Sequence, residues 1–465
     1  MSKHSQPPSS NVSMVRLAGL EEFLEKRGNT LLIKGEAGTG KTTLALQLLR
    51  TLARDEPAYY ISARVSKEKL GRHNPESAKA VEEGGFLDLR LGNSTHMLEQ
   101  IIKVLRGREK DRARVLVVDT WDSFAKEIEE KERIKAEKTL MALADTSEAR
   151  IIFVSEEPYR TTMEYLVDGI VVLRRIDDNG LLLREFELTK LRGTPIPQHK
   201  HLFSLEGGKF TAFDYHLRPD YTRARKVKPK KDLDDAFSLG SDALDSIFYG
   251  IPKGSTFSIE YEPTVHYSSI RIVDLMAIIN ALNLGHGAFL LPLPASPLNE
   301  VSSLIQPYVS KEAYLNNFAI GSMEKSGNRL RPPFYAVGAD DDEGLGENVT
   351  VLLEKVRKNS RTGGVLVVES MVQLESSFAS TSDTVLEGLS ARISKIQETS
   401  SDALLVTLNS AARMKPRVLA MSRRYARIMM RDRVAVIVGE KPSTEPYVLE
   451  RDEDNSLLPK LTRIV

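Results

Sequence analysis

The chain contains no cysteine in 465 residues. That absence excludes disulfides, thiolate zinc sites and a thiol nucleophile together, and it fits a reducing compartment. Tryptophan occurs once, as Trp121. No apolar run approaches the roughly 18 residues that a membrane span needs, so no membrane association is expected. A strong charge of either sign is missing too: 65 basic residues against 64 acidic ones leave a formal net charge of +1. The molecule as a whole therefore has no field to draw it to nucleic acid or to a membrane surface, and any such contact must come from a local patch. Residues 1–13 are polar, carry paired prolines and lack the apolar core of a signal peptide. They are expected to be a disordered tail on a cytoplasmic protein. What remains is ordinary for a globular chain, with 41% hydrophobic and 28% charged residues, and its length points to two domains.

One stretch organises the reading: Gly35-Glu36-Ala37-Gly38-Thr39-Gly40-Lys41-Thr42-Thr43. It has the pattern G-x-x-x-x-G-K-[ST]. Before it, Thr30 to Lys34 reads as a buried strand; after it, Leu44, Leu48, Leu49 and Leu52 recur at helical spacing. A strand, a glycine turn and a helix start aim several backbone N–H groups at one point, at the positive end of a helix dipole. Such a loop cradles a polyphosphate, with Lys41 reaching the terminal phosphates and the Thr42 hydroxyl ligating Mg²⁺. The run Val115-Leu116-Val117-Val118-Asp119 supplies the partner, a buried strand ending in an acid that can hold the metal's water shell beside Thr42. ATP and Mg²⁺ are the expected ligands. Further strands, at 58–62, 85–91, 150–155, 169–173, 181–188 and 209–213, alternate in their first part with helical stretches at 97–106 and 126–144. That alternation predicts an α/β fold with a mainly parallel, doubly wound sheet.

Residues 217–236 interrupt the pattern with Arg223, Arg225, Lys226, Lys228, Lys230 and Lys231 around Pro229, and read as a basic, solvated linker. Beyond it the first unit recurs. Val365 to Glu369 answers Val115 to Asp119, Phe318 to Gly321 answers Leu89 to Gly92, and Val349 to Val356 answers the helix at Met97. Ala403 to Thr407 answers Ile151 to Ser155, and Arg433 to Ile437 answers Gly169 to Leu173. The expected domains are thus 14–216 and 237–465. At the second loop position the chain runs Tyr261-Glu262-Pro263-Thr264-Val265-His266-Tyr267-Ser268. It has no glycine, Tyr267 stands where the lysine belongs, and Glu262 adds repulsion. The second domain is expected to be degenerate and to keep the fold for packing, partner contact or completing the first site.

These motifs, with the tandem duplication and the lead-in Leu239 to Asp245 followed by Gly250 to Ser255, resemble the RecA superfamily, in particular its KaiC and RadA branch. The resemblance implies two tandem RecA-like domains and an assembly, ring or dimer, with nucleotide near an interface. Lys190-Leu191-Arg192 resembles the family's K-x-R, whose cations reach the γ-phosphate of a neighbouring subunit; whether they act across chains or on the second domain stays open. The family's Glu pair after the second strand is replaced by Arg64 and Val65, and an arginine cannot act as a base. Hydrolysis is therefore expected to be slow, with Glu68 and Glu36 as alternative acids. The wording Tyr60-Ile61-Ser62-Ala63-Arg64-Val65-Ser66, with Lys34 to Thr43, looks most like archaeal P-loop proteins of the GvpD type. That resemblance implies a nucleotide-dependent switch acting on a protein partner.

Residues 413–433 concentrate Arg413, Lys415, Arg417, Arg423, Arg424, Arg427, Arg431 and Arg433 against Asp432. A solvated helix face that docks a partner, nucleic-acid contact through a mobile loop, and a contact to a neighbour's nucleotide are all open readings. His199 and His201 lack a third ligand nearby and make a weak metal site. Three functions compete: a slow ATPase switch, a DNA-binding recombination or repair accessory ATPase, and a scaffold that holds nucleotide without turnover.

Overall fold

The computed structural model describes residues 19–53, 56–73, 81, 85–107, 112–213, 224–294, 297–325, 330–338, 342–377, 382–452 and 454–465. The expected tail, 1–13, and the first part of the expected linker, 217–223, lie outside these residues. The chain divides into two compact units: the first runs to Asp214 and includes Ile464–Val465, and the second is Tyr215–Arg463.

Unit 1 contributes β1 (Thr30–Gly35), β2 (Ala58–Ser62), β3 (Gly85–Asp88), β4 (Val115–Asp119), β5 (Arg150–Ser155), β6 (Gly169–Asp178), β7 (Leu181–Leu191), β8 (Lys200–Ser204) and β9 (Thr211–Ala212). Among the described residues they form one nine-stranded sheet in the order β3-β2-β4-β5-β1-β6-β7-β8-β9. From β3 to β6 the pairing is parallel; β7, β8 and β9 add antiparallel strands at the far edge. Successive residues of a strand face opposite sides, and both sides are covered. Leu31 and Ile33 pack with Leu44, Leu48 and Leu49 of the helix Lys41–Leu52 on one face. Leu32, Leu116 and Val118 pack on the other with Met97, Ile101 and Leu140, from the helices Ser94–Leu105 and Glu130–Ser147. Burial on both faces is why β1, β4 and β5 read as continuous apolar runs rather than alternating ones.

Unit 2 opens with a short antiparallel pair, β10 (Ala236–Phe237) and β11 (Ile251–Pro252). Its main sheet comprises β12 (Thr256–Tyr261), β13 (Gly287–Leu291), β14 (Phe318–Lys325), β15 (Phe334–Gly338), β16 (Val365–Ser370), β17 (Ala403–Asn409), β18 (Arg424–Arg431), β19 (Val434–Lys441), β20 (Tyr447–Arg451) and β21 (Pro459–Arg463). The order is β15-β14-β13-β16-β17-β12-β18-β19-β20-β21. Placing β12 on β1 reproduces the order of unit 1 strand for strand, with β15 added at one edge. Both units are therefore α/β with mainly parallel, doubly wound sheets, and the second copies the first.

Several expectations need correction. The strand answering Gly169–Leu173 is β18, which pairs parallel with β12 as β6 does with β1; Arg433–Ile437 instead enters β19, the counterpart of antiparallel β7. The basic run 413–433 is thus no mobile loop. It is a short helix, Lys415–Met421, followed by a strand in the body of the sheet. Three of its cations are bound to acids of the same unit: Lys415 to Glu260 at 2.8 Å, Arg427 to Glu440 at 2.8 Å and Arg431 to Glu262 at 3.0 Å. Strand β3 stops at Asp88, and Leu91, expected within it, is fully exposed in the following turn. The expected strand 209–213 is shortened to Thr211–Ala212 after a 3-10 turn at Glu206–Gly208. The described part of the linker is pinned to unit 2. The backbone of Lys230 exchanges two hydrogen bonds with the Asn280 amide, and that of Arg225 does the same with Asn455. Ala224 and Val227 pack against the unit 2 core.

Candidate nucleotide-binding site

Strand β1 ends at Gly35 and the helix begins at Lys41, so five residues make the turn between them. Conformation and close approach account for Gly35 and Gly40. A Cβ on Gly35, at φ 155°, would lie 2.5 Å from the Leu173 carbonyl oxygen. One on Gly40, at φ 101°, would strike the Leu205 methyls at 2.9 Å. Gly40 provides no side-chain cap for the helix. A helix start without a side-chain cap, at the positive end of the helix dipole, is the usual setting of an anion cradle.

Lys41 is 5% exposed and donates its ammonium to the Glu36 carbonyl at 2.7 Å. Burial pulls its pKa below the ordinary lysine value, while Glu156 and Asp119 oppose the shift. The Thr42 hydroxyl donates to the Asp119 carboxylate at 2.8 Å. The two expected metal-binding residues, which stand 77 positions apart in the chain, thus meet. A second donor to the same Asp119 oxygen is the Tyr60 hydroxyl, at 2.5 Å from β2. Burial, then the charge of Asp119, raises the Tyr60 pKa well above its usual value, so it stays a donor. A hydroxyl and a carboxylate beside an open helix terminus are the oxygen ligands that Mg²⁺ prefers. The donor set and the cradle fit a magnesium–triphosphate.

The K-x-R cations lie elsewhere. The Lys190 ammonium donates to the Glu164 and Val167 carbonyls at 3.1 and 2.5 Å, and Arg192 pairs with Asp168 at 2.7 Å. Asp168 in turn accepts from the Thr30 amide and hydroxyl, at the amino end of β1. The glycine loop is at the carboxyl end, five residue steps or roughly 16 Å away along the strand. Neither cation is placed to serve its own unit's loop. Of the alternative acids, Glu36 points outward to Arg175 and Glu68 is fully exposed near Arg90. His201 is buried and stacked on Phe186, and no cluster of three His, Asp or Glu suited to a metal occurs among the described residues.

Residues 20–189 match the family described as the GvpD gas vesicle protein P-loop domain. The matched segment is similar to a GvpD-type P-loop domain and contains the glycine loop, Tyr60 and Asp119. Proteins GvpD2 and GvpD1 of Halobacterium salinarum (strain ATCC 700922 / JCM 11081 / NRC-1) are each 26% identical to the chain over 292 residues, or 58% of it. Those residues cover 59% and 54% of the two relatives, so the match spans a little over half of each. The crystal structure of a KaiC-like protein from Pyrococcus horikoshii OT3 aligns at 23% identity and a TM-score of 0.36, over 40% of this chain and 90% of that one.

Two residues of unit 1 escape a reading by motif. Tyr60 looks like one more apolar strand residue, and only its register beside Val117 on β4 puts its hydroxyl within reach of Asp119. Glu156 follows β5 and reads as one of two consecutive loop acids. Its carboxylate lies 3.6 Å from the Lys41 ammonium and pairs with Arg64 on its other side. The only signal for it in the sequence is its place just past the end of a central strand, where ligands of open α/β sheets bind.

Proposed function

We propose that the GvpD-type domain binds ATP with Mg²⁺ and acts as a nucleotide-dependent switch on a protein partner, with slow hydrolysis. The observation that carries this is the meeting of Thr42 with Asp119 beside an uncapped, glycine-turned helix terminus and a buried lysine. Backbone amides and Lys41 hold the phosphates, and Thr42 and Asp119 hold the metal. Of the two alternative acids, Glu36 reaches out to Arg175 and Glu68 is exposed, which supports weak rather than rapid turnover.

The relatives' family name ties them to gas vesicles. For this chain we take from it a regulatory role exerted on a protein partner, in the cytoplasm. No helix among the described residues is long and apolar enough to cross a membrane. Lys190 and Arg192, a strand length from their own loop, suit action on the nucleotide of another copy, and hence a ring or dimer. The nucleic-acid reading loses its main support, because much of the 413–433 run is consumed in ion pairs within unit 2.

Trp121 provides the test. It is 3% exposed, edge-on to Phe153 at 5.5 Å and two residues beyond Asp119. Mg–ATP should change its fluorescence in the wild type and leave Lys41→Ala unaffected. Equal, saturable responses in both would overturn the assignment.

A further inference from the structure

Two loops at the carboxyl edge of the unit 1 sheet are pinned so that one acid and one arginine meet above the P-loop lysine. After β2, the Ala63 amide donates to the Asp119 carbonyl at 2.8 Å. The Ser62 hydroxyl donates to the Val65 carbonyl at 2.6 Å and accepts from the Val65 amide at 3.1 Å. Arg64 projects from this closed turn. After β5, the Asp122 carboxylate accepts from the Ser155 hydroxyl at 2.9 Å, from the Glu157 amide at 3.2 Å and from the Glu156 amide. Glu157 turns away to Lys126 at 3.4 Å, and Glu156 turns in. One Glu156 oxygen then faces Lys41 at 3.6 Å, while the other is bound by the Arg64 guanidinium.

A single carboxylate held between the P-loop lysine and an arginine marks a point where two fixed cations can share one anion. Lys41 is the residue whose place in the motif directs it to the terminal phosphates. Arg64 therefore sits one carboxylate's width beyond it, in line for an anion larger than the carboxylate now there. A planar guanidinium on a pinned turn is well suited to bind phosphate oxygens with two parallel hydrogen bonds. Resting on the nucleotide-binding reading above, we propose that Arg64 reads the terminal phosphate of a nucleoside triphosphate from within its own chain, and that Glu156 is the placeholder it releases. A triphosphate puts new negative charge beside Glu156, and repulsion drives that carboxylate off both cations. A diphosphate leaves Arg64 on Glu156, so the loops after β2 and β5 stay linked. Arg64 thus determines specificity for three phosphates over two, and the link between the loops reports which is bound.

The experiment compares Mg–ATP and Mg–ADP affinities, by Trp121 fluorescence and by calorimetry, in wild type, Arg64→Gln and Glu156→Gln. Arg64→Gln should weaken ATP by about tenfold or more, the size of one charge-assisted contact, and leave ADP within about twofold. Glu156→Gln should tighten ATP severalfold, and ADP less, because the competing charge is gone. Retained ADP binding also shows that each variant is folded. Equal effects of Arg64→Gln on both nucleotides, or no effect on either, would overturn the role of Arg64 while leaving the nucleotide site standing. A wild type that binds neither nucleotide would overturn the site itself, and this inference with it.

Discussion

The two units place the same strand–turn–helix junction at the same point of the same sheet, and fill it with opposite chemistry. Five residues lie between Gly35 and Lys41, and five between Tyr261 and Tyr267, each pair marking a strand end and a helix start. In unit 1 the helix terminus is uncapped. In unit 2 the ring of His266 accepts from the Ser268 amide at 3.2 Å, so the helix start carries a side-chain cap of its own. Glu262, opposite Glu36, is clamped by Arg431 at 3.0 Å and accepts from the Met430 amide at 3.2 Å. Asp119 bonds to a threonine and a tyrosine. Its counterpart Glu369 is bound at 3.1 Å to Arg392, and both of those residues are buried. The helix following the junction differs as well. Tyr267–Leu284 is buried almost all round, as a structural element should be. A site is thus converted to a brace by answering each open donor and acceptor from within the fold.

The largest test of that contrast is to strip each junction of its central side chain. Lys41→Ala should cost nucleotide affinity roughly a thousandfold, since it removes a charge from an enclosed phosphate site. Tyr267→Ala should leave nucleotide affinity unchanged. Calorimetry with Mg–ATP separates the two, and an equal loss in both would mean that the units do not divide the labour as described. Next in size is the acid at the end of the central strand. Glu369→Gln removes the charge that neutralises buried Arg392 at 3.1 Å and should destabilise unit 2 by about 3 kcal/mol in denaturant unfolding. Asp119→Asn should cost about 1 kcal/mol of stability or less, because the Thr42 and Tyr60 hydroxyls share one Asp119 oxygen that an amide oxygen can replace as acceptor. It should nevertheless abolish the magnesium dependence of nucleotide binding. Similar unfolding curves for the two variants would erase the distinction between ligand and brace.

Much of this contrast is legible in the sequence, for a physical reason. A parallel strand buried on both faces has to be apolar throughout, and a phosphate turn has to be glycine, so both leave strong local patterns. Val115–Asp119 and Val365–Glu369 stand out on that ground. Strand β18 does not, because Arg427 and Arg431 are neutralised by Glu440 of the neighbouring β19 and by Glu262 just past β12, pairings that only the sheet order makes. Read alone it is a charge run, and the repeat is then assigned one strand too late. The same limit hides Glu156. Its importance comes from meeting Lys41 and Arg64, and three loops separated by the sheet order bring them together. The K-x-R pattern was visible, but not that β7 runs antiparallel and carries Lys190 and Arg192 to the amino end of β1.

A smaller effect tests the helix after the junction. Seven residues past Tyr267 stands Asp274, where the unit 1 helix has Leu48 seven past Lys41. Burial, only partly countered by Arg271, pushes the Asp274 pKa up to about 7. Its Oδ1 has no hydrogen-bond partner. Unfolded, the carboxyl titrates near its ordinary value of about 3.9. Between those values the folded state binds the extra proton, so stability falls as pH rises from about 4 to 7 and is flat above. Asp274→Leu should remove that slope and raise stability at pH 8 by on the order of 2 kcal/mol. Unfolding midpoints measured at pH 5 and pH 8 decide the point, and a variant that keeps the wild-type slope would assign the titration to another group.

The smallest expected effect is at the cap itself. His266→Gly restores to unit 2 the open helix terminus that Gly40 gives unit 1. Loss of the side-chain acceptor should cost only about 1 kcal/mol, because water can satisfy the freed amide at an exposed position. It should also bring no nucleotide affinity, since Glu262 still sets negative charge in the turn and Tyr267 still replaces the ammonium. If the variant did bind Mg–ATP, the cap alone would have closed the second site. The clamp of Arg431 on Glu262 would then be a consequence of the closure and not a part of it.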